Sequence, residues 1–161
     1  MSTRAETIVD TVIAALQTMT VAHGYTYDLS GSEGVREGRA PAECGIAPCA
    51  WVAIGTLDLD TDDLLTVDEV TLVLEIEARV TTATGTPGSK SRAAIRMFSD
   101  IKQVITTAFI PGGTLAELPY LRGVKFRGGA FDGDEYDIAP GFGVAFCQIV
   151  ITYPSSFNAG V

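Results

Sequence analysis

A chain of 161 residues, 47% hydrophobic and 19% charged, has the composition of a globular protein and suggests one domain. Its formal net charge of -9 comes from 20 acidic and 11 basic residues, and the basic residues form no run. This argues against general nucleic-acid binding, which needs clustered lysines and arginines on one face. It is compatible with a surface past which DNA slides without sticking, because like charges repel.

The sequence also argues against secretion, membrane insertion and a structural zinc site. Glu6 and Asp10 stand where a signal peptide requires basic and then apolar residues. No apolar run approaches the roughly 18 residues that cross a bilayer. Cys44 and Cys49 have a C-x4-C spacing, and Cys147 lies far from them in sequence. With a single histidine in the chain, these residues do not supply the four closely spaced ligands of a tetrahedral zinc site. We therefore expect a soluble protein with reduced thiols, made in the cytoplasm.

The first predicted element is an amphipathic helix over residues 3–22. Thr3 and Glu6 have the spacing of a capping box, and Gly24 is placed to end the helix. His23 falls in the last turn, where a protonated imidazole favours the negative end of the helix dipole. We prefer this capping role to a functional one, because no acidic residue or cysteine lies at a motif spacing from His23. The apolar stripe of this helix consists of Ile8, Val12, Ala15, Leu16 and Met19.

A long hairpin is the next predicted feature. Residues 25–29 resemble a short strand, and residues 30–48 are predicted to form a mobile loop. Residues 50–59 and 70–81 then read as two strands that pair antiparallel, and the second alternates apolar and polar side chains. We interpret Trp51 as a packing residue of the core or the sheet edge, with a ligand platform as the alternative.

A second amphipathic helix is predicted over Ser89–Phe109, between a Pro-Gly pair before it and Pro111-Gly112 after it. Its apolar stripe is Ala94, Phe98, Ile101, Ile105 and Ala108. The helix offers no catalytic pair and no ligand pair, so we expect it to brace a sheet.

The C-terminal third is predicted to complete the sheet. Leucines at 115, 118 and 121 indicate an apolar loop, residues 124–127 a short strand, and residues 128–141 a turn region. Residues 142–153 form a nearly continuous apolar run, typical of a central strand, and residues 155–161 a loose tail. The predicted fold is therefore a single α+β domain over residues 1–161, a mainly antiparallel sheet with a long β-hairpin and both helices on one face.

The acidic segment 58–69 has part of a calcium-loop pattern. Asp58, Asp60 and Asp62 occupy loop positions one, three and five of an EF-hand, and Glu69 occupies position twelve. The glycine required at position six is Asp63 here, and both flanks read as strands rather than helices. We favour a solvated acidic turn, and we retain a small Ca2+-dependent binding module as an alternative of a different class.

Catalytic motifs are missing from the sequence. Asp132, Asp134, Glu135 and Asp137 form a second acidic cluster, but a glycine-rich turn gives two carboxylates no means of acquiring different pKa values for hydrolysis. The nucleophile, phosphate-binding, dinucleotide and metalloprotease motifs do not occur. We expect a protein that is not an enzyme, with no catalytic residue, no cofactor and no metal.

The order of elements resembles the tail terminator (tail completion) proteins of long-tailed bacteriophages. The first helix ends in His-Gly-Tyr at 23–25, and a long hairpin follows at 50–81. The second helix carries Ser-Asp-Ile at 99–101, and the last strand ends at Tyr153 with little after it. The resemblance covers most of the chain and rests on pattern and size.

This resemblance implies a structural virion protein that forms a homohexameric ring. Such a ring caps the tail tube at its head-proximal end, stops tube polymerisation and presents a surface to the head–tail connector. The implied partners are the tube protein, the connector and further copies of the chain, with DNA passing through without specific binding and no membrane involved. A head–tail connector or stopper subunit is the alternative within the same assembly.

Charged residues are the predicted contacts with a neighbouring subunit or with the lumen. We expect cations on the second helix to meet the acidic segment of another copy, as one subunit follows the next head to tail. The predicted contact residues are Asp58, Asp60, Asp62, Asp63, Asp68, Glu69, Arg92, Arg96 and Lys102.

Overall fold

The computed structural model describes residues 3–31, 33–41, 47–60, 69–81, 89–135 and 139–154. In chain order its elements are helix α1 (Arg4–Gln17), a 3-10 turn (Val21–His23), strands β1 (Val35–Glu37), β2 (Cys49–Asp60) and β3 (Glu69–Val80), helix α2 (Ser89–Phe109), and strands β4 (Gly123–Asp132) and β5 (Gly143–Pro154). The predicted succession of helix, hairpin, helix and two strands is confirmed.

The strands form a five-stranded sheet in the order β1-β2-β3-β5-β4. The long hairpin pairs β2 with β3 from Cys49 opposite Arg79 to Asp60 opposite Glu69, with a bulge at Gly55. Strand β5 lies between β3 and β4 and is antiparallel to both. Among the described strands, the short β1 alone runs parallel to its neighbour, β2, so the sheet is mainly antiparallel as predicted.

Both helices pack on one face of this sheet. Alternate side chains of β3 point to that face and are fully buried, which confirms the alternation read from the sequence. They are Leu72, Leu74, Ile76, Ala78 and Val80. The predicted stripe of α1 is buried against them, and Thr3 and Glu6 form the predicted capping box. The sheet and the two helices thus share one hydrophobic core.

Helix α2 has the predicted bounds, and its buried face is wider than the predicted stripe. Ala94, Ile101, Ile105 and Ala108 are buried as expected, and Phe98 is half-buried against Phe126. Four further residues are also buried: Ala93, Met97, Asp100 and Val104. The additional width shows that α2 contacts both the sheet and α1, since one helix can bury two adjacent stripes only between two partners.

The N-terminal region differs from the prediction in two respects. Helix α1 ends at Gln17, and Thr20 opens a separate 3-10 turn by accepting a hydrogen bond from the His23 amide at 3.2 Å. Threonine side chains near a helix end compete in this way with continued helix. Residues 25–29 do not form the predicted strand: residues 26 and 27 form a bend, and the Leu29 amide donates to Met19 O at 2.9 Å. The His23 Nδ1 atom lies 2.9 Å from Thr18 O, at the end of α1 where a cap was predicted.

Two strands extend into regions that the sequence assigned to loop or turn. Strand β1 forms within the predicted loop 30–48, where Val35 is buried opposite Ala50. Strand β4 continues to Asp132, beyond the predicted end at residue 127. Its Gly128 has no room for a side chain, since a Cβ there would come within 2.9 Å of the Phe98 ring. A Cβ at Gly128 would also come within 2.2 Å of Phe146 O, so this glycine lets both β5 and α2 approach the strand closely.

Some predictions concern residues outside the described part of the chain. These are the loose tail at 155–161, the middle of the acidic segment at 61–68, and Asp137 of the second acidic cluster. The leucines at 115, 118 and 121 do pack on the core as expected, with Leu115 fully buried. No helix among the described residues is long and apolar enough to cross a membrane.

Candidate functional site

The face of the sheet opposite the helices, called here the outer face, carries the charged side chains of the long strands. On β3 the residues between the buried ones alternate to this side, and Glu75 and Glu77 are half-buried there. The cross-strand register places Glu75 beside Gln148 and Glu77 beside Phe146 of β5. The outer face therefore combines aromatic and charged groups.

A buried arginine organises one end of the outer face. Arg79 is only 3% exposed, although the alternation predicted that it points to water or to a neighbour. Its Nε donates to Glu77 Oε1 at 2.8 Å, and its guanidinium lies 5.2 Å from the centre of the Trp51 ring. Nη1 has no hydrogen-bond partner among the described residues. Glu77 and the Trp51 ring thus compensate a charge that would be costly to bury alone.

A polar chain crosses three strands beside this arginine. Gln148 Nε2 donates to Glu75 Oε1 at 3.1 Å, and Arg127 Nε donates to Gln148 Oε1 at 2.7 Å. These contacts join β3, β5 and β4 on the outer face. They hold Glu75 and Arg127 in fixed positions, so the outer face presents an ordered charge pattern.

A shallow groove of about 190 Å³ lies on the same face. Residues 38–40 form one wall, and Trp51, Glu77 and Phe146 lie on the strands below them. Trp51 is 4% exposed, which agrees with the packing role preferred from the sequence. A groove that is open and this small fits a side chain of a partner better than a small-molecule substrate.

The predicted acidic contact residues are distributed along the far end of the hairpin. Asp58 is exposed on β2, and Asp60 and Glu69 pair opposite each other where β2 ends and β3 begins. Asp62, Asp63 and Asp68 lie outside the described residues. Strands, not helices, flank this segment, so the helix–loop–helix framework of an EF-hand is absent from the described residues around it.

The predicted basic contact residues lie on the surface of α2. Arg92, Arg96 and Lys102 are all exposed. A fourth cation on this helix, Lys90, was not singled out from the sequence and pairs with Asp134 in the turn between β4 and β5. The hydrogen bond from Lys90 lowers the pKa of Asp134, and the Gly141 amide adds to this effect. Asp134 of the second acidic cluster therefore links the turn between β4 and β5 to the first turn of α2.

Asp100 is a further residue whose role the sequence did not reveal. It is 8% exposed and accepts hydrogen bonds from the Thr26 amide at 2.7 Å and the Tyr27 amide at 3.3 Å. The Tyr27 hydroxyl donates to Ala93 O at 3.2 Å, and burial raises the pKa of this tyrosine. Asp100 follows Met97 by three positions on the buried side of α2. This helical spacing is the one feature of the sequence that could have indicated a buried carboxylate at position 100. It anchors the segment after α1.

Cys147 lies on β5 with its thiol buried in the core. Burial raises the pKa of the Cys147 thiol to about 12, so this cysteine is a poor nucleophile near neutral pH. Among the described residues, no three His, Cys, Asp or Glu side chains group closely enough to hold a metal ion. The arrangement can present an ordered charged face and two sheet edges to a partner.

Comparisons with known proteins give a structural likeness and no match in sequence. No protein-family model and no curated protein matches the sequence. Among solved structures, the chain is similar to a chain of a particle described as "Virion of native gene transfer agent (GTA) particle". The likeness covers 92% of this chain and 95% of that chain, at 14% identity and a TM-score of 0.45. At that TM-score the function has to be argued from the residues and surfaces of the chain itself.

Proposed function

We propose that the chain is a structural virion protein that forms a hexameric ring on the end of a phage tail tube. In this role it ends tube polymerisation and provides the surface to which the head–tail connector joins. The proposal includes the tube protein, the connector and further copies of the chain as partners. It places the ring at the head-proximal end of the tail, after assembly in the host cytoplasm, and gives it no catalytic task.

The observation that carries the proposal is the arrangement of the sheet. A long hairpin braced by two helices on one face leaves an opposite face and two strand edges available for protein contacts. The same order of elements underlies the resemblance to tail terminators. A ring subunit needs two unlike contact surfaces, because each copy meets its neighbours head to tail.

The net charge of -9 also suits a ring through which DNA passes. A negative lumen repels the phosphate backbone and keeps the DNA from sticking. We place part of the acidic segment 58–69, or of the cluster 132–137, at the lumen or against the tube. If this placement holds, variants with these acids changed to lysine hinder DNA passage or tail joining, and normal infectious particles from such variants would overturn it.

The exposed cations of α2 are the second proposed contact. Arg92, Arg96 and Lys102 would meet the acidic segment of the adjacent copy, which makes α2 an assembly element as well as a brace. An Arg96→Glu variant that forms rings as readily as the wild-type chain counts against this contact.

Two other functions remain as alternatives. A connector or stopper subunit would use the same surfaces one layer closer to the head. A Ca2+-dependent module is disfavoured because Asp58 and Asp60 lie in β2 and Glu69 lies in β3, without the flanking helices of a calcium loop. Calorimetry decides the second alternative, since binding heat at millimolar Ca2+ would revive it.

Mass measurement in solution is the first test of the proposed function. We expect monomers and hexamers in exchange, with hexamers enriched when tail tubes are added. Electron microscopy of particles made without this chain should then show overlong tubes that lack heads. A chain that stays monomeric in the presence of tubes, or tubes of normal length without it, would overturn the proposal.

A further inference from the structure

At one edge of the sheet, no described strand pairs with β2 over residues 53–60, called here the open half of β2. Strand β1 pairs with β2 at residues 50–52 only, and no described strand covers the rest of that edge. Two large apolar side chains project from this open half, Ile54 at 44% exposure and Leu57 at 54%. They pair across the hairpin with Leu74 and Leu72, so they lie on the helix side of the sheet. An exposed apolar strand edge is a template for another strand.

Strand β4 forms the opposite edge and has matching properties. Among the described strands it pairs with β5 alone, over its whole length. Val124 and Phe126 lie on the helix side, where Phe126 packs on Phe98. Lys125 and Arg127 alternate with them, so they lie on the outer face, and both are exposed.

The two edges lie at the same level of the sheet. Following the register across β5 and β3, Gly123 is level with Asp58, and Lys125 is level with Thr56. Each of the three intervening pairings is antiparallel, so β4 runs opposite to β2. A second copy placed beside the first, in the same orientation, would therefore bring β4 and β2 together as an antiparallel pair.

We propose that β4 of one copy pairs with the open half of β2 of the next copy, so that the sheet continues from subunit to subunit. This pairing sets Val124 and Phe126 beside Ile54 and Leu57 on the helix side. On the outer face it sets the basic β4 edge near Asp58. Opposite charges across a strand pair stabilise it, whereas like charges destabilise it.

The unlike charges of the edges also select the geometry of assembly. A two-fold contact between two β4 edges would oppose Lys125 and Arg127 to their own copies. A two-fold contact between two β2 edges with its axis at Asp58 would oppose Asp58 to its own copy. The head-to-tail contact avoids both conflicts, and such contacts close into rings when the rotation between subunits permits. The inference rests on the proposed function in that it names the contact that joins the ring, but the contact itself requires only a second copy of this chain.

A mixing experiment with two charge reversals tests this pairing. Sedimentation velocity over a concentration series is measured for the wild-type chain, for Asp58→Lys and for Lys125→Glu. Each variant alone faces like charge at every contact, and we expect its half-assembly concentration to rise on the order of tenfold or more. An equimolar mixture of the two variants can alternate around a ring with opposite charges at every contact, so it should regain assembly.

Mixing Asp58→Lys with wild-type chain provides the matched control. Alternation in that mixture still places a positive charge at position 58 against Lys125 in every second contact, so the variant should not join the assemblies that the wild-type chain forms alone. A two-fold β2 contact would instead be rescued by this mixture, and that result would overturn the proposed pairing. Leu57→Lys should abolish assembly at concentrations where wild type is half assembled. Val21→Lys, at a site 65% exposed in the 3-10 turn and outside both edge strands, should leave assembly unchanged.

The outcomes separate this contact from the proposed function. A wild-type chain that remains monomeric at its highest soluble concentration overturns the pairing. The pairing is also overturned if Leu57→Lys and both single charge reversals form rings as well as the wild-type chain does. Such rings would leave the tail-capping proposal intact. Confirmed edge pairing, together with tails of normal length in the absence of the chain, would overturn the function and retain the contact. Circular dichroism of each variant confirms that it is folded.

Discussion

The two faces of strand β3 differ in what they contribute to the protein. On the helix side, Leu72, Leu74 and Ile76 are fully buried in the core. On the outer face, Glu75 and Glu77 are half-buried and held by hydrogen bonds to neighbouring side chains. The helix side supplies the free energy of folding, and the outer face supplies an ordered pattern of charge. Stability and contact can therefore be altered separately on the same strand.

The largest expected effect is the loss of stability when the helix side is truncated. Leu74→Ala should lower the free energy of unfolding by about 2–5 kcal/mol, since it removes a fully buried side chain and leaves a cavity. The adjacent Val73→Ala, on the half-buried outer face, should cost about 1 kcal/mol or less. Chemical denaturation of both variants measures the difference. Equal losses would show that the outer face is packed as tightly as the core.

The second prediction concerns the carboxylate on the buried side of α2. Asp100→Ala should cost about 1–3 kcal/mol, because the Thr26 and Tyr27 amides lose their acceptor in a part-buried setting. Asp100→Asn keeps one acceptor oxygen and should cost less. Thermal unfolding shows which of the two variants loses more stability. The rate of amide hydrogen exchange at residues 26 and 27 should rise in the Ala variant. Unchanged exchange there would contradict the anchoring role.

The third prediction tests the buried arginine of the outer face. Glu77→Ala leaves the Arg79 guanidinium buried without its carboxylate and should cost about 1–3 kcal/mol, at the lower end because Glu77 is partly exposed. The double variant Glu77→Ala with Arg79→Met removes the charge as well and should recover part of the loss. Denaturation of the single and double variants gives the coupling. Additive losses would indicate that the two side chains act independently.

The smallest expected effect is a change in how the free energy of unfolding depends on pH in the acidic range. The folded pKa of Asp134 is lowered by Lys90 from its ordinary value of 3.8, so the stability it contributes is present above pH 3.8 and is lost as pH falls below that value. Asp134→Asn should flatten this part of the pH profile, because the variant lacks the small stabilisation near neutral pH and matches the wild-type chain at low pH, where Asp134 is protonated. Unfolding measured from about pH 2 to pH 7 checks the sign. A variant whose free energy of unfolding falls more steeply on acidification than that of the wild-type chain would contradict this prediction.

Elements with a strong local period could be predicted from the sequence with good bounds. The buried alternation of β3, the apolar stripe and limits of α2, and the capping box at Thr3 are all confirmed. Each depends on residues a few positions apart, whose spacing alone decides which side of an element they share. The α+β class followed from the order of these elements.

Features that join distant parts of the chain were decided by the tertiary structure alone. Asp100 accepts from an amide 74 positions away, and Lys90 pairs with a carboxylate 44 positions away. Strand β1 forms where β2 offers it a parallel edge, and β4 continues through Gly128 and Gly129 because it pairs with β5 along its whole length. No local period encodes such contacts, since the energy that favours them appears only once the partners have been brought together. By itself the sequence determined the elements that have a strong local period and the faces they bury, while the folded sheet determined which edges the described strands leave unpaired and which charges those edges present to a second copy.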